Sequence, residues 1–145
     1  MLSIPTYTQT GVIQGSVLGP LLFLLYVNDV TDVFGDKCTC KLYADDIQLY
    51  SIVDQCELRD MQSQLDALQQ WSDTWQLNIS YKKCNVLYLN NRKNKPNVSN
   101  MLGGENILQV SQLKDLGVVI DSELKFDKHI NHIVSRAQQV ANFNP

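Results

Sequence analysis

The sequence lacks any apolar run long enough to cross a membrane. The longest such stretch, residues 17–27, is interrupted by Gly19 and Pro20, whereas a transmembrane helix needs about 20 mostly apolar residues. The first residues also lack the basic start and the long apolar region of a secretory signal. We therefore expect no membrane partner and an intracellular location, in the cytoplasm or the nucleus, rather than secretion.

Cysteine and histidine are too few and too scattered to predict disulfides or a structural metal. No Cys-x-x-Cys pair is present, so the cysteines are interpreted as reduced, mostly buried thiols. The four cysteines are Cys38, Cys40, Cys56 and Cys84. His129 and His132 lie three residues apart, and no third ligand is placed to complete a zinc site. We interpret the two histidines as a solvated pair.

An excess of basic residues is missing as well. The 145 residues include 12 basic and 15 acidic ones, for a net charge of −3, which is atypical of a stand-alone nucleic-acid binder. The charge is unevenly distributed, because residues 74–104 contain no acidic residue. The basic residues there are Lys82, Lys83, Arg92, Lys93 and Lys95. This segment could follow a phosphate backbone or simply form an exposed loop, and charge alone leaves both open.

Turn residues and hydrophobic periodicity predict how the first third of the chain folds. A short strand over residues 6–13 is followed by a turn, and Ser16 is the predicted N-cap of a helix with Pro20 in its first turn. That helix, residues 21–33, is apolar nearly all round and is expected to be largely buried. Gly35 is its stop signal.

The remaining elements complete an α+β pattern. Apolar residues recur at three- and four-residue steps in two segments, which predicts two amphipathic helices. The predicted elements are a hairpin over 38–53, a helix over 58–75, a strand over 86–89, a polar loop over 90–104, a hairpin over 107–121 and a helix over 126–141. We expect a mainly antiparallel sheet with helices packed on one face.

Tyr43-Ala44-Asp45-Asp46 is the most informative motif, because it places two adjacent carboxylates at the tip of the first predicted hairpin. Adjacent carboxylates repel each other unless a cation lies between them. Carboxylate oxygens, together with substrate phosphates, are ligands that Mg²⁺ prefers. A solvated turn is the alternative for this motif alone, since aspartate is common in turns.

Two strings, in this order, resemble the reverse transcriptases of non-long-terminal-repeat (LINE-type, jockey-like) retrotransposons. They are Gly11-Val12-Ile13-Gln14-Gly15-Ser16-Val17-Leu18-Gly19-Pro20-Leu21-Leu22-Phe23 and Tyr43-Ala44-Asp45-Asp46. The likeness continues through residues 71–84, 115–121 and 126–137. It therefore extends over nearly the whole chain.

The resemblance implies part of the palm of a right-hand polymerase over residues 1–121 and the start of its thumb over residues 122–145. The implied activity is RNA-directed DNA polymerisation, with an RNA template, a DNA primer and deoxynucleoside triphosphates as partners and Mg²⁺ or Mn²⁺ as cofactor. Two-metal phosphoryl transfer needs several carboxylates around two cations, and Asp45 and Asp46 resemble two of them. Lys83 resembles a catalytic lysine that neutralises or protonates the leaving pyrophosphate.

The same resemblance implies binding roles for further residues. Gln14 and Gly15 would lie against the template and the incoming nucleotide, and Tyr43 would flank the metal site near the primer. The hairpin that carries Leu116 and Gly117 resembles the one that grips the primer strand. From the residues alone, this second hairpin could also be a plain core element.

The chain also departs from the family pattern. Its first ten residues contain no acid, whereas the family carries another metal-binding aspartate in an earlier strand, together with the fingers. Ile13 and Ser80 stand where proline and asparagine are usual. Because losing one member of a catalytic constellation costs orders of magnitude in rate, we expect the isolated chain to be inactive, and to be a marginal or aggregation-prone monomer with exposed apolar surface. The alternatives are a non-catalytic nucleic-acid-binding remnant and an inert remnant.

Overall fold

The computed structural model describes residues 15–36, 38–52, 58–89 and 99–142. The strand predicted over residues 6–13, Gln14 and Cys56 lie outside the described residues. The chain divides into two compact units, Met1–Leu77 and Asn78–Pro145. The predicted functional boundary between residues 121 and 122 stays a prediction.

The first helix ends earlier than the sequence predicts. Helix α1 spans Gly19–Val27 and is followed by a 3-10 helix, Asn28–Val33. Asparagine, aspartate, threonine and β-branched residues fill this second stretch, and they are weak helix formers because they compete for backbone hydrogen bonds or lose side-chain freedom. The N-cap position is Leu18, without a side-chain cap, so the N-cap predicted at Ser16 is wrong.

Helix α2, Leu58–Trp75, packs on the 3-10 helix and confirms the predicted amphipathic stripe. Three of its apolar side chains are buried, and Trp71 donates a hydrogen bond from its indole nitrogen to Asp29 Oδ1 at 3.0 Å. Among the described residues of this unit, the buried apolar ones are Val27, Val30, Leu65, Leu68 and Trp71. Together they form a small core between two helical segments.

The apolar helix α1 is exposed rather than buried, so the burial predicted for it is wrong. Leu21 is 55% exposed and Leu25 is 67% exposed, whereas Val27 at the end of the helix is buried. At the C-terminal end of α1, the Tyr26 hydroxyl donates to the carbonyl oxygen of Trp75 at 2.6 Å. An apolar sequence predicts that burial would stabilise the helix, but it does not show that a partner surface is present.

The strands confirm the α+β class but pair two by two in the described residues. Strands β1 (Cys38–Tyr43) and β2 (Asp46–Ser51) form an antiparallel hairpin, and β3 (Asn85–Leu87) pairs in parallel with β6 (Leu108–Val110). Short antiparallel pairs join β4 (Met101–Leu102) to β5 (Glu105–Asn106) and β7 (Gln112–Asp115) to β8 (Val118–Asp121). Helix α3 spans Asp127–Asn142. No helix among the described residues is both long and apolar enough to span a bilayer.

The turn between β4 and β5 packs under an aromatic ring. Gly103 has a φ of +59°, and a Cβ built on it would overlap the ring of Tyr81. Next to it, Gly104 has a φ of +80° with no atom near its Cβ position. The two glycines therefore share a backbone conformation that disfavours side chains, and only Gly103 is also closely packed.

Gly103→Ala is expected to destabilise the second unit more than Gly104→Ala does. Both changes place a side chain at positive φ, which costs about 1–2 kcal/mol, and overpacking against Tyr81 adds about 1–3 kcal/mol at Gly103 alone. Urea denaturation of the two variants measures the difference. Equal losses would mean that the Tyr81 ring moves aside without cost.

Candidate functional site

The β1–β2 hairpin brings Asp45 and Asp46 together at its tip, as the sequence predicts. Tyr43 pairs with Asp46 across the strands, so that only Ala44 and Asp45 form the turn. Ala44 has a φ of +52°, and a positive φ at the first turn residue is typical of the tight turns that match the twist of a hairpin. A two-residue turn leaves little freedom, so both carboxylates are held at one end of a ladder of paired strands. We call this element the carboxylate hairpin.

The two faces of the carboxylate hairpin differ in burial. Side chains alternate along a strand, and Cys38, Cys40 and Leu42 are half-buried on one face. Burial raises the pKa of the Cys38 and Cys40 thiols, and both are free cysteines. The other face carries Thr39, Lys41, Tyr43, Asp46, Gln48 and Tyr50. We call it the open face.

The carboxylate pair could supply part of the ligand set of a divalent cation. Asp45 and Asp46 are both exposed, and Mg²⁺ is commonly bound by one or two carboxylates while water and substrate phosphates fill its remaining positions. Within the described ranges, no group of three or more histidine, cysteine, aspartate or glutamate side chains could hold a metal ion. Two carboxylates alone do not fill the coordination shell of such a cation, so water or phosphate oxygens would have to complete it.

The other predicted site residues of the first unit lie partly outside the described residues. Gly15 is exposed in the turn before α1, with a φ of +83°, whereas its predicted partner Gln14 is not described. Tyr43 is 66% exposed and stands directly opposite Asp46. Tyr43, Asp45 and Asp46 thus form one exposed group.

Lys83 belongs to the second unit, where it ends a short 3-10 helix, Tyr81–Lys83. The backbone there is well held, because Lys83 N donates to Ser80 O at 2.9 Å and Asn85 Nδ2 donates to Lys83 O at 2.9 Å. The side chains of Lys82 and Lys83 are both exposed. Either lysine therefore remains able to fill the predicted role, and Arg92, Lys93 and Lys95 lie outside the described residues.

Leu116 and Gly117 form the tip of the β7–β8 hairpin, which confirms the second hairpin for residues 112–121. The start predicted at residue 107 is wrong, because β6 pairs with β3 instead. Their φ values are +44° and +92°, and positive values at both central residues define a type I′ turn, for which Asn-Gly is the preferred sequence. Leucine is an unusual choice there, because a bulky residue at positive φ is strained. The Leu116 side chain is also 52% exposed, so burial does not explain it.

Leu116→Asn is therefore expected to stabilise the isolated chain by about 0.5–1 kcal/mol, since asparagine tolerates the left-handed backbone. The midpoint of urea unfolding is expected to rise, while the slope of the free energy of unfolding against urea concentration stays constant. A fall in stability would show that the leucine side chain makes contacts worth more than the backbone strain.

Polar contacts join the segment after β8 and the start of α3 to the β7–β8 hairpin. His129 Nδ1 accepts a hydrogen bond from Val119 N at 3.3 Å, and Lys128 Nζ donates to Gln112 Oε1 at 2.5 Å. His129 is half-buried, so its prediction as a solvated histidine is wrong, whereas His132 is exposed as predicted. Asp121 Oδ1 accepts from Lys125 N at 3.2 Å and from Glu123 N at 2.9 Å. Aspartate at the start of a turn is the sequence signal that could have identified this capping role.

These backbone donors, with that of Lys125 the strongest, lower the pKa of Asp121. A lowered folded pKa means that the contribution to stability is present above the ordinary aspartate value of about 3.9 and is lost as the pH falls through the lower folded value. We expect the midpoint of unfolding to decrease as the pH is lowered through that acid range. Asp121→Asn is expected to remove this part of the pH dependence. An unchanged acid profile in the variant would contradict the capping role.

Known proteins that are similar to the chain include several polymerases of one kind. Residues 2–120 match the family model described as reverse transcriptase (RNA-dependent DNA polymerase). The chain is 37% identical over 134 residues to the RNA-directed DNA polymerase from mobile element jockey of Drosophila melanogaster. The alignment covers 85% of the chain and 14% of that relative. The jockey polymerase of Drosophila funebris is 33% identical over 138 residues, covering 88% of the chain and 15% of the relative.

A further relative extends the similarity beyond jockey. The probable RNA-directed DNA polymerase from transposon BS of Drosophila melanogaster is 32% identical over 146 aligned positions, covering 94% of the chain and 16% of that protein. The chain thus spans about a seventh of the length of the curated relatives it matches. No solved structure matches the chain at a significant level.

Proposed function

The chain belongs to the reverse transcriptase family, and from this premise we propose that it forms the metal-binding part of a retrotransposon RNA-directed DNA polymerase. The observation that carries the proposal is the exposed carboxylate pair, Asp45 and Asp46, at the tip of a two-residue turn. The partners proposed are an RNA template, a DNA primer and deoxynucleoside triphosphates. Mg²⁺ is the cofactor proposed, with Mn²⁺ as a substitute.

In this proposal Asp45 and Asp46 hold the divalent cation through their carboxylate oxygens. When bound, the cation stabilises negative charge on the phosphates and makes the primer hydroxyl more acidic. Tyr43 stands beside the carboxylates and limits where the primer end lies. The ammonium group of Lys83, or of Lys82, offers positive charge and a proton to the leaving pyrophosphate. Gln14 and Gly15 contact the template and the incoming nucleotide, and Leu116 and Gly117 hold the primer.

The proposal is tested by transplanting this chain into a relative. The matching segment of the Drosophila melanogaster jockey polymerase, over which the two are 37% identical, is replaced by the present sequence. We expect RNA-templated primer extension that depends on Mg²⁺. A soluble, folded chimera that binds primer–template but extends no primer would contradict the proposal. That the 145-residue chain is inactive by itself stays a prediction, and the same assay on that chain tests it.

A second function, nucleic-acid binding without catalysis, is favoured by the division of charge. Residues 78–145 contain nine basic and five acidic residues, whereas residues 1–77 contain three basic and ten acidic ones. A basic unit attracts phosphate backbones and gives salt-dependent affinity. If the chimera is inactive but the second unit alone supplies salt-dependent duplex binding, this function replaces the first.

A further inference from the structure

Lys41 is an exposed cation in the acidic unit of the chain. Of the three basic residues among residues 1–77, it is the one whose side chain the structure describes. It lies in β1 on the open face, opposite Gln48 and two residues before Tyr43. In the described part of the chain, its ammonium group takes part in no ion pair.

The register places Lys41 close to the carboxylate pair. Because Tyr43 faces Asp46 and Lys41 faces Gln48, Lys41 and Asp46 are diagonal neighbours on one face, with backbones about 7–8 Å apart. Long side chains bridge that separation. An ammonium group within reach of carboxylates ordinarily pairs with them, so its separation from Asp46 leaves it available to another anion.

The open face is formed by two regularly paired strands. The six cross-strand pairs of the hairpin run without a bulge, and the Tyr50 hydroxyl donates to Gln48 Oε1 at 2.5 Å along the same face. The side chain of Lys41 therefore projects from a paired strand rather than from a loop. A cation held on such a surface positions a phosphate more sharply than one on a mobile segment.

We propose that Lys41 is a positioning residue that binds a phosphate group of the substrate. The cation at Asp45 and Asp46 holds the adjacent group of the same substrate. This inference rests on the proposed function, since it needs the carboxylate pair to hold a cation. Lysine acts as a compact point charge toward phosphate, so the contact adds affinity without selecting a base. The phosphate comes either from the nucleic-acid backbone or from the incoming triphosphate.

The test measures binding by the 145-residue chain in two titrations with Mg²⁺, one of a labelled RNA–DNA primer–template and one of a deoxynucleoside triphosphate. For a backbone phosphate, Lys41→Gln is expected to weaken duplex binding about eightfold at 0.1 M salt. The slope of log affinity against log salt concentration is expected to become shallower by about 0.9, the contribution of one phosphate contact. Lys41→Arg keeps the charge and is expected to retain most of the affinity. For a triphosphate source, the loss appears in the nucleotide titration.

Lys125 provides the matched control, because its ammonium group is already paired with Glu123 at 2.5 Å. Lys125→Gln is expected to change either titration much less than Lys41→Gln does, and circular dichroism checks that all variants are folded. Unchanged affinity of Lys41→Gln in both titrations would overturn the assignment, as would the absence of saturable binding by the wild-type chain. The proposed function is tested separately in the same titrations. It fails if the affinity changes neither on removal of Mg²⁺ nor in the Asp46→Asn variant.

Discussion

Asp45→Asn is expected to lower RNA-templated primer extension by the jockey chimera by roughly 10³-fold or more, the scale seen when one member of a catalytic constellation is removed. Asparagine keeps the shape of the side chain and one oxygen ligand, but it removes the negative charge that a hard divalent cation requires. The effect is expected in the rate at saturating nucleotide. It is measured by single-turnover extension in Mg²⁺.

Two further variants make this prediction specific. Asp46→Asn is expected to cause a large loss as well, because Asp46 lies at the same tip in register with Tyr43. Asp36→Asn removes another exposed carboxylate that has no predicted role, and it is expected to leave the rate unchanged. Activity that survives Asp45→Asn and Asp46→Asn together would show that the metal is held elsewhere.

Trp71→Ala is expected to cost the first unit about 3–5 kcal/mol, the usual range for truncating a buried aromatic residue. Trp71 is 7% exposed and joins α2 to the 3-10 helix through its hydrogen bond to Asp29. Because small domains are stable by only about 5–15 kcal/mol, this loss removes a large share of the free energy of unfolding. Urea denaturation followed by far-ultraviolet circular dichroism measures it.

Trp75 is the matched control for Trp71. It lies in the same helix but is 38% exposed, with its ring edge-on to Tyr26 at 5.2 Å. Trp75→Ala is therefore expected to cost clearly less than Trp71→Ala, and Trp71→Phe to cost about 1–3 kcal/mol through the donor that Asp29 loses. Equal losses at the two tryptophans would mean that the core does not centre on Trp71.

The elements that the sequence predicted well are those with a strong local signal. Apolar spacing defined α2 and α3, and the acidic turn defined the carboxylate hairpin, because side-chain period and turn chemistry are local properties. The parallel pairing of β3 with β6 was missed because it joins segments about twenty residues apart, and a three-residue strand does not encode its partner. The exposure of α1 was missed for a related reason, since an apolar helix is covered only where another segment packs on it.

The candidate site divides in the same way. The carboxylates could be predicted because their neighbours in sequence are also their neighbours in space. Lys41 was not singled out, although strand alternation from Tyr43 already places it on the face of Asp46. Lys83 and Leu116 belong to the second compact unit, so their roles toward the carboxylates stay predictions that sequence proximity could not establish.

The central claim is that Asp45 and Asp46 together hold a divalent cation. The most direct measurement is the broadening of backbone amide signals by Mn²⁺ in the isotope-labelled 145-residue chain, with and without a deoxynucleoside triphosphate. We predict that signals from residues 43–46 broaden at the lowest Mn²⁺ concentration, more so with nucleotide, and that the Asp45→Asn, Asp46→Asn double variant loses this response. Broadening centred on other carboxylates such as Asp29 and Asp32, or an unchanged response in the double variant, would contradict the claim.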